Sequence, residues 1–596
     1  MNSAKRRLNR LREVMKEQGI DGYIVPNTDP HLGEYIPDHW KTVQWLTGFS
    51  GSAATVLVTR TFAGLWTDSR YFLQAEKQLK GSGLELMKLN NPPDPSLNEW
   101  LRTSFKKGGI IGFDGRLLSI NSFRKMKNDL ESRLPVFVTD ADLISDLWDN
   151  RPELPESVAY EHTSGFAGAD VITKIGRVRE MMVKKEAEYH LLTSPDDIMW
   201  MLNIRAADVQ YSPLLLSFAL ISSSQVLLFA EEKKIPPRLA SDFDQKGIVV
   251  LPYDEVVAIL TSIPEFSTLL LSPASTTVAI YNSIGGKVRI IEEISIPARL
   301  KAVKNDTEIS NIRNAMVKDG VALTKFFFWL EMNIGKESIT ESSAASKLRD
   351  FRLQQTNCMG ESFATIMAYN DHAALPHYSF EGENETLNKN EGILLVDSGG
   401  QYLDGTTDVT RTIALGKPSE EQKTDFTLAL KGMISLAMAR FPSGTRGHQL
   451  DILARKALWE KGLNYGHGTG HGVGFFLNVH EGPQSVSPAG GNQQNIPLVP
   501  GMILSDEPGI YRENRYGFRT ENIVHVTSDI KTEFGQFCNF ETLTLCYIDT
   551  SLIDKTLLDS EETRWLNSYH KRVCEKLLPF LNEDERIFLR AKTKDF

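Results

Sequence analysis

Cysteine is scarce in this chain. Four residues out of 596, Cys358, Cys538, Cys546 and Cys574, form no C-x-x-C pair. A dense disulfide framework is excluded, and reduced thiols in a cytoplasmic protein are expected. Long apolar runs are missing too. No stretch reaches the roughly 18 residues of a membrane-spanning helix. The nearest, Leu214 to Ala230, is split by Ser222-Ser223-Ser224-Gln225 and reads as a β-hairpin. Positive charge is not in excess. With 66 Lys and Arg against 76 Asp and Glu the net charge is −10. A general nucleic-acid binder, which carries a basic stripe, is therefore not expected. The basic residues Lys5, Arg6, Arg7, Arg10 and Arg12 could suggest a targeting segment. However, Leu8, Leu11, Val14 and Met15 form a helical stripe, Glu13 and Glu17 interrupt the charge, and no apolar h-region follows. An ordinary amphipathic helix is the expectation.

What is present is the balance of a globular protein, 41% apolar and 24% charged. At 596 residues the chain is too long for one core, so two to four domains are expected. The first half carries a weak tandem repeat. One copy has a helix ending near Met15, a strand Tyr23-Ile24-Val25, Asn27-Thr28-Asp29 and an aromatic segment around Trp45. The second has a helix with Val178, Met181 and Met182, a strand around Tyr189 to Leu192, Ser194-Pro195-Asp196-Asp197 and Trp200. Two α/β domains, 1–157 and 158–302, are expected. Asn305 followed by Glu308 has the form of a capping box, and Ile309, Ile312, Met316 and Leu323 mark one face of the helix it opens. A third domain, 303–546, follows. The tail, 547–596, places Trp565, Leu566, Tyr569, Val573, Leu577 and Leu578 at helical spacing. That face suits either packing on its own domain or a dimer interface.

Five candidate metal ligands stand in the third domain: Asp397, Asp408, His471, Glu507 and Glu521. Asp397 ends the apolar run Ile393-Leu394-Leu395-Val396, where a carboxylate is costly unless paired or metal-bound. A hairpin would bring it beside Asp408. His467 and His471 flank Gly-Thr-Gly, in a stretch with glycines at 466, 468, 470, 472 and 474 that argues against a helix. Met502-Ile503-Leu504 reads as a strand delivering Glu507 inward. Arg519, two residues before Glu521, is placed to hydrogen-bond a carboxylate ligand. Four carboxylates and one imidazole suit two hard divalent ions such as manganese, and suit a thiolate-seeking zinc site poorly.

The order and spacing of these blocks resemble the pita-bread metallopeptidases, and among them the long three-domain cytosolic aminopeptidase P family (Xaa-Pro aminopeptidases). Pro26-Asn27-Thr28-Asp29-Pro30-His31, Gly48-Phe49-Ser50-Gly51-Ser52-Ala53 and Trp66-Thr67-Asp68-Ser69-Arg70-Tyr71 extend the likeness upstream. The resemblance implies an α/β (α+β) chain: two creatinase-like domains, then a pita-bread catalytic domain with a helical tail. It implies that Asp397 binds one ion, that Asp408 and Glu521 bridge both, and that His471 and Glu507 complete the other. It assigns substrate binding and proton handling around the tetrahedral intermediate to His377, His467 and His480. The activity implied is release of the N-terminal residue from peptides with proline second, by attack of a dimetal-bridging hydroxide. Two manganese ions, a peptide partner and a homodimer joined through the catalytic domains belong to the same expectation, with no nucleic acid or membrane partner. The alternatives are a prolidase-type X-Pro dipeptidase and a non-enzymatic pita-bread binding module, though such modules lose metal ligands. Two blocks depart from the family pattern: Asn203-Ile204-Arg205-Ala206-Ala207-Asp208, which leaves a loop shape open, and Thr520. His372 matches no family position.

Overall fold

The computed structural model describes residues 3–379, 384–488 and 496–596. The chain divides into two compact units, one of residues 1–161 and 169–297, the other of residues 162–168 and 298–596.

The first unit contains two six-stranded sheets of one topology. The first runs Glu85–Lys88, Ala63–Thr67, Thr55–Thr59, Gly22–Pro26, Ile110–Phe113, Val136–Val138. The second runs Ile248–Leu251, Val226–Phe229, Phe218–Ile221, Tyr189–Leu192, Thr268–Leu271, Arg289–Glu292. In both, two antiparallel pairings at the centre are flanked by parallel ones. The repeat read from the sequence is thus a repeat of architecture. The central strands are buried on both faces, which is why they read as apolar runs, while the edge strands are partly exposed. Tyr23 and Val25 face the helix Ser3–Glu17 through Leu8, Leu11 and Met15, while Ile24 joins Leu57, Trp66 and Ile111 on the opposite face. The segment Leu214 to Ala230 is the hairpin expected, with Ile221 paired to Val226. The loop left open at 203–208 is fixed by buried Asp208, which accepts from Leu216 N at 2.9 Å and Ser157 Oγ at 2.6 Å and pairs with Lys234 at 2.9 Å.

The second unit opens on the helix Asp306–Asn333, and Asn305 and Glu308 close the capping box in both directions. A three-stranded antiparallel sheet follows, Ile366–Tyr369, Ile393–Ser398 and Val409–Ala414. A six-stranded sheet runs Arg440–Pro442, Gly535–Thr542, Asn522–Thr532, Ile503–Asp506, Gly470–Gly472, Glu481–Val486. The helix Glu420–Ala437 buries Phe426, Leu430, Met433 and Ile434 in a cluster that also takes Leu566, Tyr569, Val573 and Leu577 from the tail helix Ser560–Leu577. The tail stripe therefore covers its own catalytic unit. The short segment 162–168 joins this unit too. His162 Nε2 bonds Leu403 O at 2.8 Å, and Asn305 Nδ2 donates to Ala167 O at 2.9 Å. Among the described residues, no helix is long and apolar enough to cross a membrane.

Candidate metal centre

Strand register assembles the centre. Asp397 ends the strand Ile393–Ser398 opposite Thr410, and Ser398 pairs with Val409, so Asp408 lies just beyond the pairing at the same end. The connection is not a single tight turn. A second small hairpin, Gly400–Tyr402 with Gly405–Thr406, intervenes and uses the Asp404-Gly405 turn. Strand Ile503–Asp506 lies between Gly470–Gly472 and Asn522–Thr532. Glu507 N donates to Thr469 O at 2.8 Å and Glu521 N to Thr410 O at 3.1 Å. The second bond joins the ends of the two sheets. The glycines at 470 and 472 are required by packing. A Cβ at Gly470 would stand 1.9 Å from Ser505 O, and one at Gly472 2.2 Å from Glu481 O.

Asp408, His471 and Glu521 offer ligand atoms that all lie within 4.8 Å of one another. His471 donates from Nδ1 to Gly472 O at 2.9 Å, which turns Nε2 toward Asp408 Oδ2 at 3.5 Å and Glu507 Oε1 at 3.6 Å. A ring fixed through one nitrogen presents the other to a cation. Asp397 Oδ1 and Glu521 Oε1 are buried and have no hydrogen-bond partner among the described residues. Burial pushes Asp397, Glu507 and Glu521 above the ordinary carboxylate range, and the neighbouring carboxylates add to the effect. Burial opposes charge on His471, yet the hydrogen bond to Asp408 and the charges of Glu507 and Asp408 push it up to about 9. Crowded, desolvated carboxylates with orphaned oxygens fit divalent cations held by hard oxygen donors and one imidazole.

Arg519 is buried and does what its position suggested: its guanidinium pairs with Asp397 Oδ2. It also donates to Thr410 Oγ1 at 3.1 Å, Tyr511 Oη at 2.7 Å and Pro376 O at 3.3 Å. Thr410 in turn donates to Glu521 Oε2 at 2.7 Å. His467 donates from Nδ1 to Gly468 O at 2.7 Å, and its Nε2 meets the Tyr511 hydroxyl at 2.8 Å. The Tyr511 hydroxyl accepts from Arg519, so its own proton goes to His467. Burial pushes that hydroxyl up to about 12, against the lowering effect of Arg519, and it keeps its proton at neutral pH. The His480 ring stands 4.2 Å from that of His471, edge to face. His377 is half-buried in the turn after the short helix Asn370–Ala374, next to the Pro376 carbonyl that Arg519 holds. Tyr511 and Thr410 were missed in the sequence. Thr410 had a signal, since it lies two residues past Asp408 and shares its strand face.

The description Metallopeptidase family M24 matches residues 310–528, and its C-terminal region matches 536–596. Two Creatinase/Prolidase N-terminal domain descriptions match 7–145 and 150–308. Aminopeptidase P2 of Arabidopsis thaliana is 36% identical over 613 aligned positions, spanning 96% of this chain and 86% of that protein. The chain belongs to the aminopeptidase P branch of metallopeptidase family M24. Xaa-Pro aminopeptidase 1 of Dictyostelium discoideum is also 36% identical, over 97% of this chain and 94% of its own length. The crystal structure of X-prolyl aminopeptidase from Caenorhabditis elegans, described as a cytosolic enzyme with a di-nuclear active site, superposes with a TM-score of 0.95. It is 36% identical and is covered completely, as is this chain. Membership in this branch accounts for the order of domains: two creatinase-like α/β domains and then a pita-bread-like mixed domain.

Proposed function

We propose that the protein is a metal-dependent aminopeptidase that releases the N-terminal residue from peptides with proline in second place. The observation that carries this reading is the convergence of Asp408, His471 and Glu521 within 4.8 Å of one another, with Asp397 Oδ1 and Glu521 Oε1 left without partners among the described residues. The Arabidopsis, Dictyostelium and Caenorhabditis relatives, matched along nearly their whole length, support the substrate class. Proline lacks an amide N–H and restrains the residue before it, so the bond preceding it calls for a dedicated site.

Asp397, Asp408, His471, Glu507 and Glu521 would hold two divalent ions, manganese by preference. When bound, the ions polarise the scissile carbonyl and make a water acidic at neutral pH. The chain supplies orientation and proton control. Arg519 holds one oxygen of Asp397 and leaves the other for a cation. Thr410 does the same for Glu521. Arg519 and Tyr511 fix the His467 ring, and His377, His467 and His480 take the substrate and its proton transfers. The reading includes a cytoplasmic enzyme and domains at 1–157, 158–302, 303–546 and 547–596. It also includes a homodimer joined through the catalytic domains, each site built from one chain; light scattering should then give twice 66.9 kDa, and a strict monomer would reject it.

A panel of X-Pro dipeptides, X-Pro-Y peptides and X-Ala-Y peptides tests the function. Metal-stripped protein should be inactive, and manganese-restored protein should cleave X-Pro-Y. Cleavage of X-Pro dipeptides alone would make it a prolidase. No cleavage of any X-Pro bond by restored protein would reject the reading.

A further inference from the structure

The turn that carries His377 is anchored to one buried carboxylate outside the metal centre. Glu341 opens the helix Glu341–Leu353 and has no solvent exposure. Its Oε1 accepts from Tyr369 N at 2.8 Å and from His372 Nδ1 at 2.8 Å. Its Oε2 accepts from the Tyr378 hydroxyl at 2.7 Å and from Glu385 N at 3.0 Å. The His372 and Tyr378 rings stack, with centroids 4.4 Å apart and planes 23° apart. Burial opposes charge on His372, yet the bond to Glu341 and its charge raise it above an ordinary histidine, and Glu385 and Asp371 act in the same sense. Charge-assisted hydrogen bonds of this kind are the strong ones. One carboxylate therefore fastens residues 369, 372, 378 and 385. From the other side Arg519 holds Pro376 O at 3.3 Å. His377 lies between a residue tied to the guanidinium on Asp397 and one tied to Glu341.

We propose that Glu341 and His372 are positioning residues for His377, acting through Tyr378 to set where that histidine meets the substrate. The inference rests on the reading of the site given above. Neither residue touches substrate or metal in this account; each acts through the turn.

The test combines kinetics of the manganese-loaded protein on an X-Pro-Y peptide with spectra of the full-length, 13C-histidine-labelled protein loaded with a diamagnetic divalent ion. His372→Ala and Tyr378→Phe should each lower kcat/KM by about 10²-fold, the scale of a misplaced catalytic contact, with metal content unchanged. His372→Asn, whose amide N–H replaces Nδ1–H, should restore most of the loss. Placed on a His377→Ala background, His372→Ala should cost less than about twofold more, because its effect passes through the missing ring. The His377 ring signal, assigned by its loss in His377→Ala, should move in His372→Ala while that of His570, held in the tail helix by Ile548 N, stays. Equal losses with and without His377, or an unmoved His377 signal, would overturn the proposal. Glu341→Gln extends the series, and a failure of that variant to fold leaves the other variants decisive. If wild-type protein cleaved no X-Pro bond, the functional reading would fall, and the His377 signal alone would still decide the positioning claim.

Discussion

The catalytic unit buries two kinds of carboxylate. Asp451 accepts from Arg455 Nε at 2.7 Å and from Thr469 Oγ1 at 2.6 Å, and Glu341 accepts four bonds, so every oxygen of this pair is matched by the protein. Asp397 and Glu521 are also buried, yet each keeps one oxygen with no partner among the described residues. Burying an unmatched charge is expensive, and a folded chain tolerates it where something outside the chain completes the site. The fully matched Asp451 and Glu341 hold the frame, and the open oxygens of Asp397 and Glu521 are offered to cations; Asp506, buried with neither oxygen partnered among the described residues, adjoins Glu507 without belonging to the assigned ligands. Asp451 illustrates the frame: its partner Arg455 also donates to His467 O at 2.8 Å. Glu481, next to His480, pairs with buried Lys304 through Oε1, while its Oε2 has no hydrogen-bond partner among the described residues.

The contrast is tested most strongly at the unmatched set. Asp408→Asn and Glu521→Gln should each lose both ions and lower activity by far more than about 100-fold, beyond the usual cost of an outer residue. His471→Ala should lose mainly one ion. Two ions retained with normal turnover in all three variants, by elemental analysis, would dissolve the distinction. His467→Ala and His480→Ala should keep both ions and lower kcat/KM by about 10²-fold or more. Loss of an ion in either variant would move that histidine into the ligand set.

A smaller effect is expected in the frame. Tyr569 in the tail helix accepts from Arg411 Nη2 at 2.7 Å and donates to Cys546 O at 2.8 Å, while Arg411 Nη1 donates to Glu521 O at 2.6 Å. Tyr569→Phe should destabilise the protein by about 1–3 kcal/mol, read from denaturant unfolding, with metal content intact. An unchanged midpoint would mean that the tail does not brace the Glu521 strand.

The smallest expected effect is in pH. In metal-free protein Asp397, Glu507 and Glu521 titrate above their ordinary range, so they add stability while protonated and lose it as pH climbs through the raised values. His471 adds stability below its ordinary 6.5 and loses it as pH climbs through about 9. Both act in one direction. The Tm of chelated protein should fall between about pH 5 and pH 9 more steeply than that of loaded protein. Parallel curves would contradict the assignment of these groups to a cation site.

Much of this was legible in the sequence because the ligands sit in short blocks with local signals. An apolar run ends at Asp397, a glycine-rich stretch surrounds His471, and a capping box opens at Asn305. The doubled α/β half was legible because each copy repeats one helix–strand order. The residues that stayed hidden depend on pairings distant in sequence. Tyr511 reaches Arg519 only because Gly509 pairs with Arg519 and Tyr511 with Gly517 in a hairpin. Arg411 and Tyr569 are 158 residues apart, and Glu341 and His372 are 31 apart. Segment 162–168 joins the catalytic unit although it lies inside the first half of the chain. No periodicity marks such a crossing.

In the proposed reading the open oxygens of Asp397 and Glu521 help hold two cations that the reaction needs. Titrating metal-stripped protein with manganese, while following bound ion and X-Pro-Y hydrolysis on the same sample, tests it directly. The account predicts two ions per chain at saturation and hydrolysis that appears only as they bind. Full hydrolysis by protein verified to hold no metal would contradict it.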